Sequence, residues 1–372
     1  MAYYFLFPEK DATIYSHPDR DKMNTGHDEI LELVKEESTL ESSVYYSSRV
    51  LIQFKDSEIE DVIKNKSGNN YTASLQLFST EHKNLERNHT IYTYLVSESW
   101  DEGTGRYSNL PTSSNGCSWL YRDNSINKSF WQDTDSQFVA GTTGNGAILS
   151  GGGTWHTSQE VSQSFSNASN LDTNINVTPL INTVSSSIFA SSGFVHNGFL
   201  IKRTSSVEEN PSSSFGELKY FSVDTHTIYS PRLAFKWDDS LHNSHSLAIK
   251  KGELSVSLYR NKEEYNQNEE TTFRIHVRNK YPNRAFVTSS NFLNAGYFTS
   301  ASYYSVRDAQ TEDIIIPFDD NCTKLSSDDE GMYFKLFMNG LQPERYYRLL
   351  FKNVNDDGVT IYDNNYHFKV IR

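Results

Sequence analysis

The stretch Ser48-Arg49-Val50-Leu51-Ile52-Gln53-Phe54-Lys55 shows the hydrophobic period that decides the fold. Val50, Ile52 and Phe54 stand at every second position, and in an extended strand such residues point to the same face. This alternation predicts a β-strand with one buried face. Similar runs recur, with turn residues between them, at residues 74–78, 90–96, 253–260 and 271–278. We therefore expect an all-β protein.

The composition agrees with a β-rich chain and excludes several classes of partner. Tyr and Phe number 23 and 22 among 372 residues, whereas Met numbers only 4, and this mixture favours pleated sheets over helices. Lys and Arg total 34 against 47 Asp and Glu, which gives a formal net charge of −13. This acidic balance argues against binding to nucleic acid or to an anionic membrane surface. The sequence has no long apolar run, so we expect no membrane insertion.

The first residues and the cysteines indicate where the protein is made. No basic segment followed by an apolar one opens the chain, so we expect synthesis in a cytoplasm without a signal peptide. Cys117 and Cys322 lie far apart, which predicts two reduced thiols rather than a disulfide framework. The sequence lacks the common zinc, P-loop and nucleophile-elbow motifs. We expect no catalysis and, apart from calcium, no cofactor.

The predicted strands fall into two groups that indicate two domains. Residues 1–240 are expected to form a jelly-roll-like β-sandwich with a long Gly- and Ser-rich insertion at 107–160. A polar linker is expected at 241–250. Residues 251–372 carry several short alternating runs, which predict an Ig-like or fibronectin-like sandwich. Within it, Leu341-Gln-Pro-Glu-Arg-Tyr-Tyr347 resembles the corner of fibronectin-type domains.

One or two short helices are expected in the first domain. The spacing of Ile59, Val62 and Ile63 fits one face of a helix, and Ser57 is the expected N-terminal cap. A second helix is expected at residues 177–189, with a proline in its first turn. Both segments are short beside the strands, so they do not change the all-β prediction.

Several stretches occur in an order that resembles a known family. They are Ala12-Thr-Ile-Tyr15, Asn24-Thr-Gly26, Glu29-Ile-Leu-Glu-Leu33, the arginine-led strand 48–54, the tryptophan-rich stretches 100–105 and 116–119, and the closing stretches 197–201 and 230–235. In this order, residues 11–237 resemble the DNRLRE-type β-sandwich domain of large extracellular and structural proteins. The insertion at 107–160 departs from the compact pattern of that family.

The whole chain, with this sandwich followed by an Ig-like domain, is similar to virion structural proteins of tailed bacteriophages. The resemblance implies a non-enzymatic subunit of the tail, baseplate or neck, located in the virion. Its partners would be other virion proteins in a symmetric homo-oligomer or hetero-oligomer. The alternative function is a carbohydrate-binding module for adhesion to host-surface glycans.

Four aromatic residues in the loop-rich stretch are candidates for an interface or a glycan contact. They are Trp119, Tyr121, Trp131 and Trp155. Exposed aromatic rings form sugar platforms and the centres of protein interfaces. The alternative is that these rings pack the interior of the loop-rich stretch.

A crowded acidic segment is the candidate metal site. Asp19, Asp21, Asn24 and Asp28 offer oxygen ligands along one short loop, and Ca²⁺ prefers such ligands. The spacing is not that of an EF-hand. A solvated acidic loop is the alternative.

Two further motifs leave two interpretations open. Glu98, Asp101 and Glu102 flank Trp100 and could form the carboxylate pair of a glycoside hydrolase, or Trp100 could anchor a strand end with the acids in water. Arg49 at the start of a predicted strand could contact an acidic partner, or it could pair with an acidic residue at the rim of the fold.

Overall fold

The computed structural model describes residues 2–38, 45–68, 70–86, 88–107, 115–126, 128–131, 151–166, 170–189, 197–209, 216–242, 248–259, 261–281 and 296–372. Strands make up 52 % of the chain and helices 9 %. The protein is therefore an all-β, sandwich-type protein built mainly of antiparallel sheets, as the alternation predicted. Among the described residues, no helix is both long and apolar enough to cross a membrane.

In chain order, the strands are β1 Ala2–Leu6, β2 Lys10–Tyr15, β3 Ile30–Glu37, β4 Tyr45–Gln53, β5 Thr72–Leu77, β6 Ser79–Lys83, β7 His89–Val96, β8 Tyr121–Asp123, β9 Ser129–Phe130, β10 Trp155–Phe165, β11 Thr173–Asn176, β12 Phe199–Arg203, β13 Gly216–Phe221, β14 Arg232–Trp237, β15 Leu254–Tyr259, β16 Glu264–Asn266, β17 Glu270–Asn279, β18 Ser302–Asp308, β19 Ile314–Ile316, β20 Ser326–Asp328, β21 Gly331–Phe337, β22 Tyr346–Asn355 and β23 Gly358–Ile371. The helices are α1 Asp56–Asp61, α2 Thr178–Phe189 and α3 Ser205–Glu209. A π-helical turn, Val62–Ser67, continues α1, and a 3-10 turn covers Met338–Gly340.

The two predicted helices are present, and α3 is a third that the sequence pattern did not indicate. The cap of α1 differs from the expectation. The helix begins after Lys55, which makes no side-chain capping bond, so Ser57 lies inside the first turn. Asn176 precedes α2, and its side-chain oxygen accepts the Thr178 N–H at 3.0 Å. That bond satisfies a backbone donor of the kind that helix starts leave open.

The chain divides into two compact units. The N-terminal unit comprises Leu6–Ile63 and Thr72–Ala234, and the C-terminal unit comprises Met1–Phe5, Lys64–Tyr71 and Phe235–Arg372. The sequence predicts one continuous first domain at 1–240. In the structure its last residues, 235–240, belong to the C-terminal unit, and so do the two short segments 1–5 and 64–71.

Aromatic packing explains why these two short segments join the C-terminal unit. The Tyr4 ring meets the Phe337 ring edge-on at a centroid distance of 5.5 Å, and the Tyr71 ring lies 5.4 Å from Phe235. The described residues of the expected linker 241–250 also belong to this unit, since His242 and Ala248 form β-bridges within it. Residues 243–247 lie outside the described residues, as do 108–114, 127 and 132–150 of the expected insertion at 107–160.

An eight-stranded sheet is the main element of the N-terminal unit. Its strand order is β10-β7-β12-β4-β3-β13-β6, and β2 also pairs with β4. Strands β5 and β11 pair antiparallel in another sheet, in which β5 also lies beside β14. The central strand β4 is therefore paired on both edges, by β12 on one side and by β2 and β3 on the other.

The central strand β4 is covered on both of its faces. Val50 and Ile52 are buried on the face that the alternation predicted, and Arg49 and Leu51 are buried on the opposite face. Side chains alternate between faces along a strand, so two different sets of residues must cover β4. The face that carries Arg49 is the one that contains the candidate site.

Two sheets form the sandwich of the C-terminal unit. One has the order β15-β17-β21-β20 and the other β16-β23-β22-β18-β19. Aromatic rings fill the space between them: the Phe334 ring of the first sheet stacks on the Tyr304 ring of the second at 4.2 Å. Phe334 also stacks on Phe273 at 5.1 Å. This core agrees with the large aromatic content of the sequence.

The corner motif of the C-terminal unit makes the contact that its sequence suggests. The Tyr347 hydroxyl donates to the Gln342 carbonyl oxygen at 2.9 Å. This bond ties the start of β22 to the segment before it, which is the role of a tyrosine corner in sandwich domains.

Candidate functional site

All four candidate aromatic residues are buried. Trp119, Trp131 and Trp155 belong to one hydrophobic cluster, and Tyr121 is also inaccessible. The other buried members of that cluster are Ala12, Ile14, Leu51, Val96, Trp100, Cys117 and Leu200. An aromatic platform needs exposed ring faces, so the burial argues against a glycan or interface role for these four residues. The three tryptophans cover the Leu51 face of the sheet instead.

Polar contacts fix the tryptophans in this position. The Trp131 indole Nε1 donates to the Ser118 carbonyl oxygen at 2.9 Å. The Gly152 backbone N–H donates to the Trp119 carbonyl oxygen at 2.6 Å. Because these bonds join distant parts of the chain, the tryptophan-rich residues form an ordered layer over the sheet.

Arg49 lies between two of these indole rings. Its guanidinium carbon is 4.7 Å from the Trp119 ring and 5.1 Å from the Trp155 ring. A guanidinium over an aromatic face is attracted by the ring quadrupole, more strongly when water is excluded. Arg49 is almost completely buried, so this attraction acts in a dry environment.

Glycine 152 allows the backbone to reach the guanidinium. The Arg49 Nη1 donates to the Gly152 carbonyl oxygen at 2.7 Å. The φ angle of Gly152 is +88°, and a Cβ at this position would lie 2.5 Å from Arg49 Nη1. Only a glycine combines that φ with so close an approach.

Glu208 of α3 is the anion that pairs with Arg49. Its Oε2 lies 2.9 Å from Arg49 Nη2 and 3.0 Å from Lys202 Nζ. All three side chains are nearly inaccessible. Burial alone would raise the pKa of Glu208, but Arg49 and Lys202 outweigh it and hold that pKa below its usual value. The carboxylate is therefore charged at neutral pH.

A third cation attaches α3 to the sheet. The Lys35 ammonium of β3 donates to the Val207 carbonyl oxygen. Desolvation lowers the pKa of Lys35 to about 8, although the Glu208 charge opposes this change. We use the name arginine cluster for Arg49, Lys202, Glu208 and their two indole neighbours, Trp119 and Trp155.

The arginine cluster is arranged to hold structure rather than to react. Both carboxylate oxygens of Glu208 face cationic donors of Arg49, at 2.9 and 3.5 Å. General acid–base chemistry needs a group that can exchange a proton with a bound substrate, and this carboxylate is buried, charged and paired. Of the two interpretations that the sequence leaves open for Arg49, the structure shows the pairing with an acidic residue, but the pair lies in the interior and not at the rim of the fold.

Asn24, one of the calcium candidates, serves backbone groups. Its Nδ2 donates to the carbonyl oxygens of Glu102 and Cys117 at 2.6 and 2.9 Å. Its Oδ1 accepts the Gly105 N–H at 2.7 Å. The amide thus holds the tryptophan-rich segment to the loop after β2. Its oxygen, which would have to ligate calcium, already accepts a backbone hydrogen bond.

The three aspartates of that loop do not converge. Asp19 is exposed and Asp21 is buried, while Asp28 accepts the Tyr107 N–H at 3.0 Å. Burial raises the pKa of both Asp21 and Asp28. In the described ranges, no group of three or more His, Cys, Asp or Glu side chains is placed to hold a metal ion. The geometry therefore does not support the calcium hypothesis.

Trp100 anchors a strand end, as the simpler interpretation of its motif expected. It is buried, and its Nε1 donates to the Asn197 carbonyl oxygen at 2.8 Å. Asp101 is exposed. Glu98 accepts the Thr154 hydroxyl at 2.7 Å, so this carboxylate also takes part in holding the fold.

Glu102 differs from the expectation that the flanking acids lie in water. It accepts the Asp11 backbone N–H at 3.0 Å, and burial raises its pKa. Asp11 itself is buried, and its Oδ2 accepts the Val223 N–H at 2.7 Å. Desolvation, with the charges of Glu102 and Asp224, raises the pKa of Asp11 well above its usual value. Both of these carboxylates therefore hold backbone groups of the fold.

The sequence does not indicate Lys202 and Glu208 of the cluster, nor Gly152 beside it. Glu208 stands beside a second glutamate in the sequence, and no period singles out Glu208 as the partner of Arg49. Gly152 is one of three consecutive glycines, and only the folded backbone shows which carbonyl meets Arg49. A buried arginine does require an acidic partner, but the sequence offers many acids.

No protein-family model matches the sequence, and a search of curated proteins finds no match to it either. The resemblance to DNRLRE-type domains and to phage virion proteins thus stays a prediction from the motifs quoted above. What the chain does must be inferred from its geometry.

Proposed function

We propose that this chain is a non-enzymatic structural subunit of a bacteriophage virion, associated with the tail, baseplate or neck. It acts through protein–protein surfaces that join it to other virion proteins. The phage assignment rests on the resemblance of residues 11–237 and of the two-domain order. The geometry supports the structural part of the proposal.

The state of the buried polar groups supports a structural rather than a catalytic role. The arginine cluster pairs its carboxylate with two cations and excludes solvent. The carboxylates near Trp100 also serve structural bonds, to Thr154 and to the Asp11 backbone. A subunit that meets its neighbours in fixed positions requires such internal rigidity.

One exposed strand segment is the observation that carries the proposal. Residues 358–361 at the start of β23 are all exposed, and Val359 and Ile361 are 65 % and 54 % exposed. Strand β22 pairs with this part of β23, while β16 pairs only with residues 369–371. In the described part of the chain, no strand thus pairs with the far edge of residues 358–361. Such an edge with apolar side chains accepts a strand or a surface of another chain.

The alternative function, adhesion through a carbohydrate-binding module, depends on exposed aromatic rings in the tryptophan-rich segment. Burial of Trp119, Tyr121, Trp131 and Trp155 removes that support. A polysaccharide-active enzyme is likewise not favoured, since Glu98 and Glu102 hold protein groups. We therefore rank virion assembly first.

The test is structure determination of the particle together with one matched pair of variants. Cryo-electron microscopy of phage particles encoding this chain should show both units on the tail, baseplate or neck in symmetric copies. Ile361→Asp should lower incorporation into particles, because a carboxylate would be buried at the interface. Leu241→Asp is the control, since Leu241 is 67 % exposed in the same unit but lies outside its strands.

Two results would contradict the proposal. Purified particles that lack the chain by mass spectrometry would remove the virion assignment. Equal incorporation of the Ile361→Asp and Leu241→Asp variants would show that the β23 segment is not an assembly surface.

A further inference from the structure

A row of three side chains crosses the solvent face of one C-terminal sheet. Tyr259 of β15 stands opposite Arg274 of β17, and Arg274 stands opposite Tyr333 of β21. Directly opposed residues project to the same face. Neighbouring strands lie about 4.8 Å apart, so the two tyrosines are roughly 10 Å apart across the row. We call this set the tyrosine row.

The central arginine of the tyrosine row is held in place. Its Nη1 and Nη2 donate to the two carboxylate oxygens of Asp328 at 3.0 and 2.9 Å. Glu330 lies 3.3 Å from the same guanidinium, and the guanidinium carbon is 5.4 Å from the Tyr333 ring. A bidentate pair fixes the plane of the guanidinium. The row is therefore preorganised before any ligand arrives.

A groove of about 600 Å³ runs beside the tyrosine row. Its lining includes Tyr259, Thr272, Arg274, His276 and Glu330, together with Ile275. Ile275 pairs with Met332 of β21. The residue before Met332 is Gly331, which places no side chain on the face of the sheet that carries the tyrosine row. A Cβ there would lie 3.3 Å from the Ile275 carbonyl oxygen. A side chain at position 331 would project to the same face as Tyr333, and its absence leaves that part of the face open.

The lining combines an aromatic surface with both donors and acceptors. Tyr259 is 53 % exposed. Thr272 and His276 can each donate or accept a hydrogen bond, and Glu330 accepts. Sugars present a patch of C–H groups to aromatic rings and adjacent hydroxyls that both donate and accept. A groove of this composition matches that chemistry better than it matches an apolar ligand.

The charge of the groove indicates a neutral ligand. The Arg274 cation is already offset by Asp328 and Glu330. An anionic ligand would meet these two carboxylates, and a cation would meet the guanidinium. The groove lies on the face of the sheet rather than along an edge, so it offers no row of backbone groups for an extended peptide.

We propose that this groove binds a neutral oligosaccharide, which stacks a ring on Tyr259 and hydrogen-bonds to Thr272, Arg274, His276 and Glu330. The site would add a binding activity to the C-terminal unit. It does not depend on the virion role, and it is separate from the buried tryptophans.

The test uses the full chain on an array of defined glycans. The array carries neutral oligosaccharides of glucose, galactose, mannose, rhamnose and N-acetylglucosamine, with uronate-containing and sialylated glycans for comparison. Binding to a neutral glycan is expected, and calorimetry with that glycan gives its Kd. Tyr259→Ala should weaken binding about tenfold or more, while Tyr259→Phe keeps the ring and should stay within about threefold.

Tyr346→Ala is the matched control. Tyr346 is 58 % exposed, and it lies on the other sheet of the same unit. Its Kd should equal that of the unaltered protein, and the melting temperatures of all variants should agree. The proposal is overturned if no neutral glycan binds, if only acidic glycans bind, or if Tyr259→Ala binds as well as Tyr346→Ala does.

Discussion

Replacing Glu208 by Gln tests whether the arginine cluster holds the N-terminal unit together. Gln has the shape of Glu and keeps an acceptor oxygen, but it has no charge. Arg49 and Lys202, which now lie 2.9 and 3.0 Å from one carboxylate oxygen, would then be buried beside each other without an anion. The free energy of unfolding should fall, because the interior cannot screen these two charges as water does.

The size of the effect follows from the pairing. Removing one partner of a buried ion pair costs about 3–5 kcal/mol, and Glu208 serves two cations, so we expect about 4–5 kcal/mol. In a unit of this size each kcal/mol shifts Tm by about 2–4 °C. The expected fall in Tm is therefore roughly 8–20 °C.

Lys202→Met is the matched control variant. It removes a charge from the same cluster but leaves the Arg49–Glu208 pair in balance. Met also keeps the aliphatic stem beside the Trp155 ring. Its cost should be clearly smaller, about 1–2 kcal/mol.

Urea unfolding followed by tryptophan fluorescence is the suitable assay. Trp119 and Trp155 flank Arg49, so their emission reports on the cluster. The pH dependence gives a second readout. Because the folded pKa of Glu208 lies below its unfolded value, its stabilisation is present above about pH 4.3. It is lost as the pH falls through the folded pKa, so the gap between the unaltered protein and the Gln variant should close in acid.

The proposed role of the cluster would be refuted by either of two results. One is a Glu208→Gln variant that unfolds within about 1 kcal/mol of the unaltered protein. The other is a Lys202→Met variant that is destabilised as much as Glu208→Gln, because the loss would then reflect packing and not an uncompensated charge.

Two further predictions concern the same unit. Gly152→Ala should lower the free energy of unfolding by about 2–4 kcal/mol, because a Cβ would meet Arg49 and Trp119 at a φ that disfavours alanine; an unchanged urea midpoint would contradict this. Asp11→Asn keeps an acceptor for Val223 and should stabilise the protein near pH 7.5. The folded pKa of Asp11 is raised, so its destabilising effect grows as pH rises above about 3.9, by about 1.4 kcal/mol per pH unit until that raised pKa is reached. Melting temperatures from pH 4 to pH 8 check this, and identical pH profiles for the two proteins would show that Asp11 is not the group responsible.

The strands could be predicted because their signal is local. Val50, Ile52 and Phe54 indicate a buried face within a few residues, and the structure places Val50 and Ile52 in the core of a sheet. The second buried face of β4 could not be predicted in the same way. Its cover comes from residues near 119 and 155, and no period in the strand itself specifies a partner so far along the chain.

The four candidate aromatic residues show that the sequence also does not predict whether a side chain is exposed or buried by a distant part of the chain. A tryptophan in a Gly- and Ser-rich stretch is equally compatible with an exposed platform and with a buried cover. Which of the two occurs depends on whether the sheet beneath presents a face that needs covering. In β4 that face carries Leu51 and Arg49, and both are buried.

The arginine cluster is better explained by specificity than by stability. Buried ion pairs are often no more stabilising than apolar residues of the same size, so an aliphatic set in place of Arg49, Lys202 and Glu208 could hold the sheet equally well. Such a set would not define a single position for the five-residue helix α3, because apolar contacts are tolerant of sliding. The cluster accepts one arrangement only: Glu208 must reach two cations, and the Gly152 carbonyl must reach Arg49. The assembly role that we propose would gain from this, since a fixed position of each surface segment is what a neighbouring subunit would recognise.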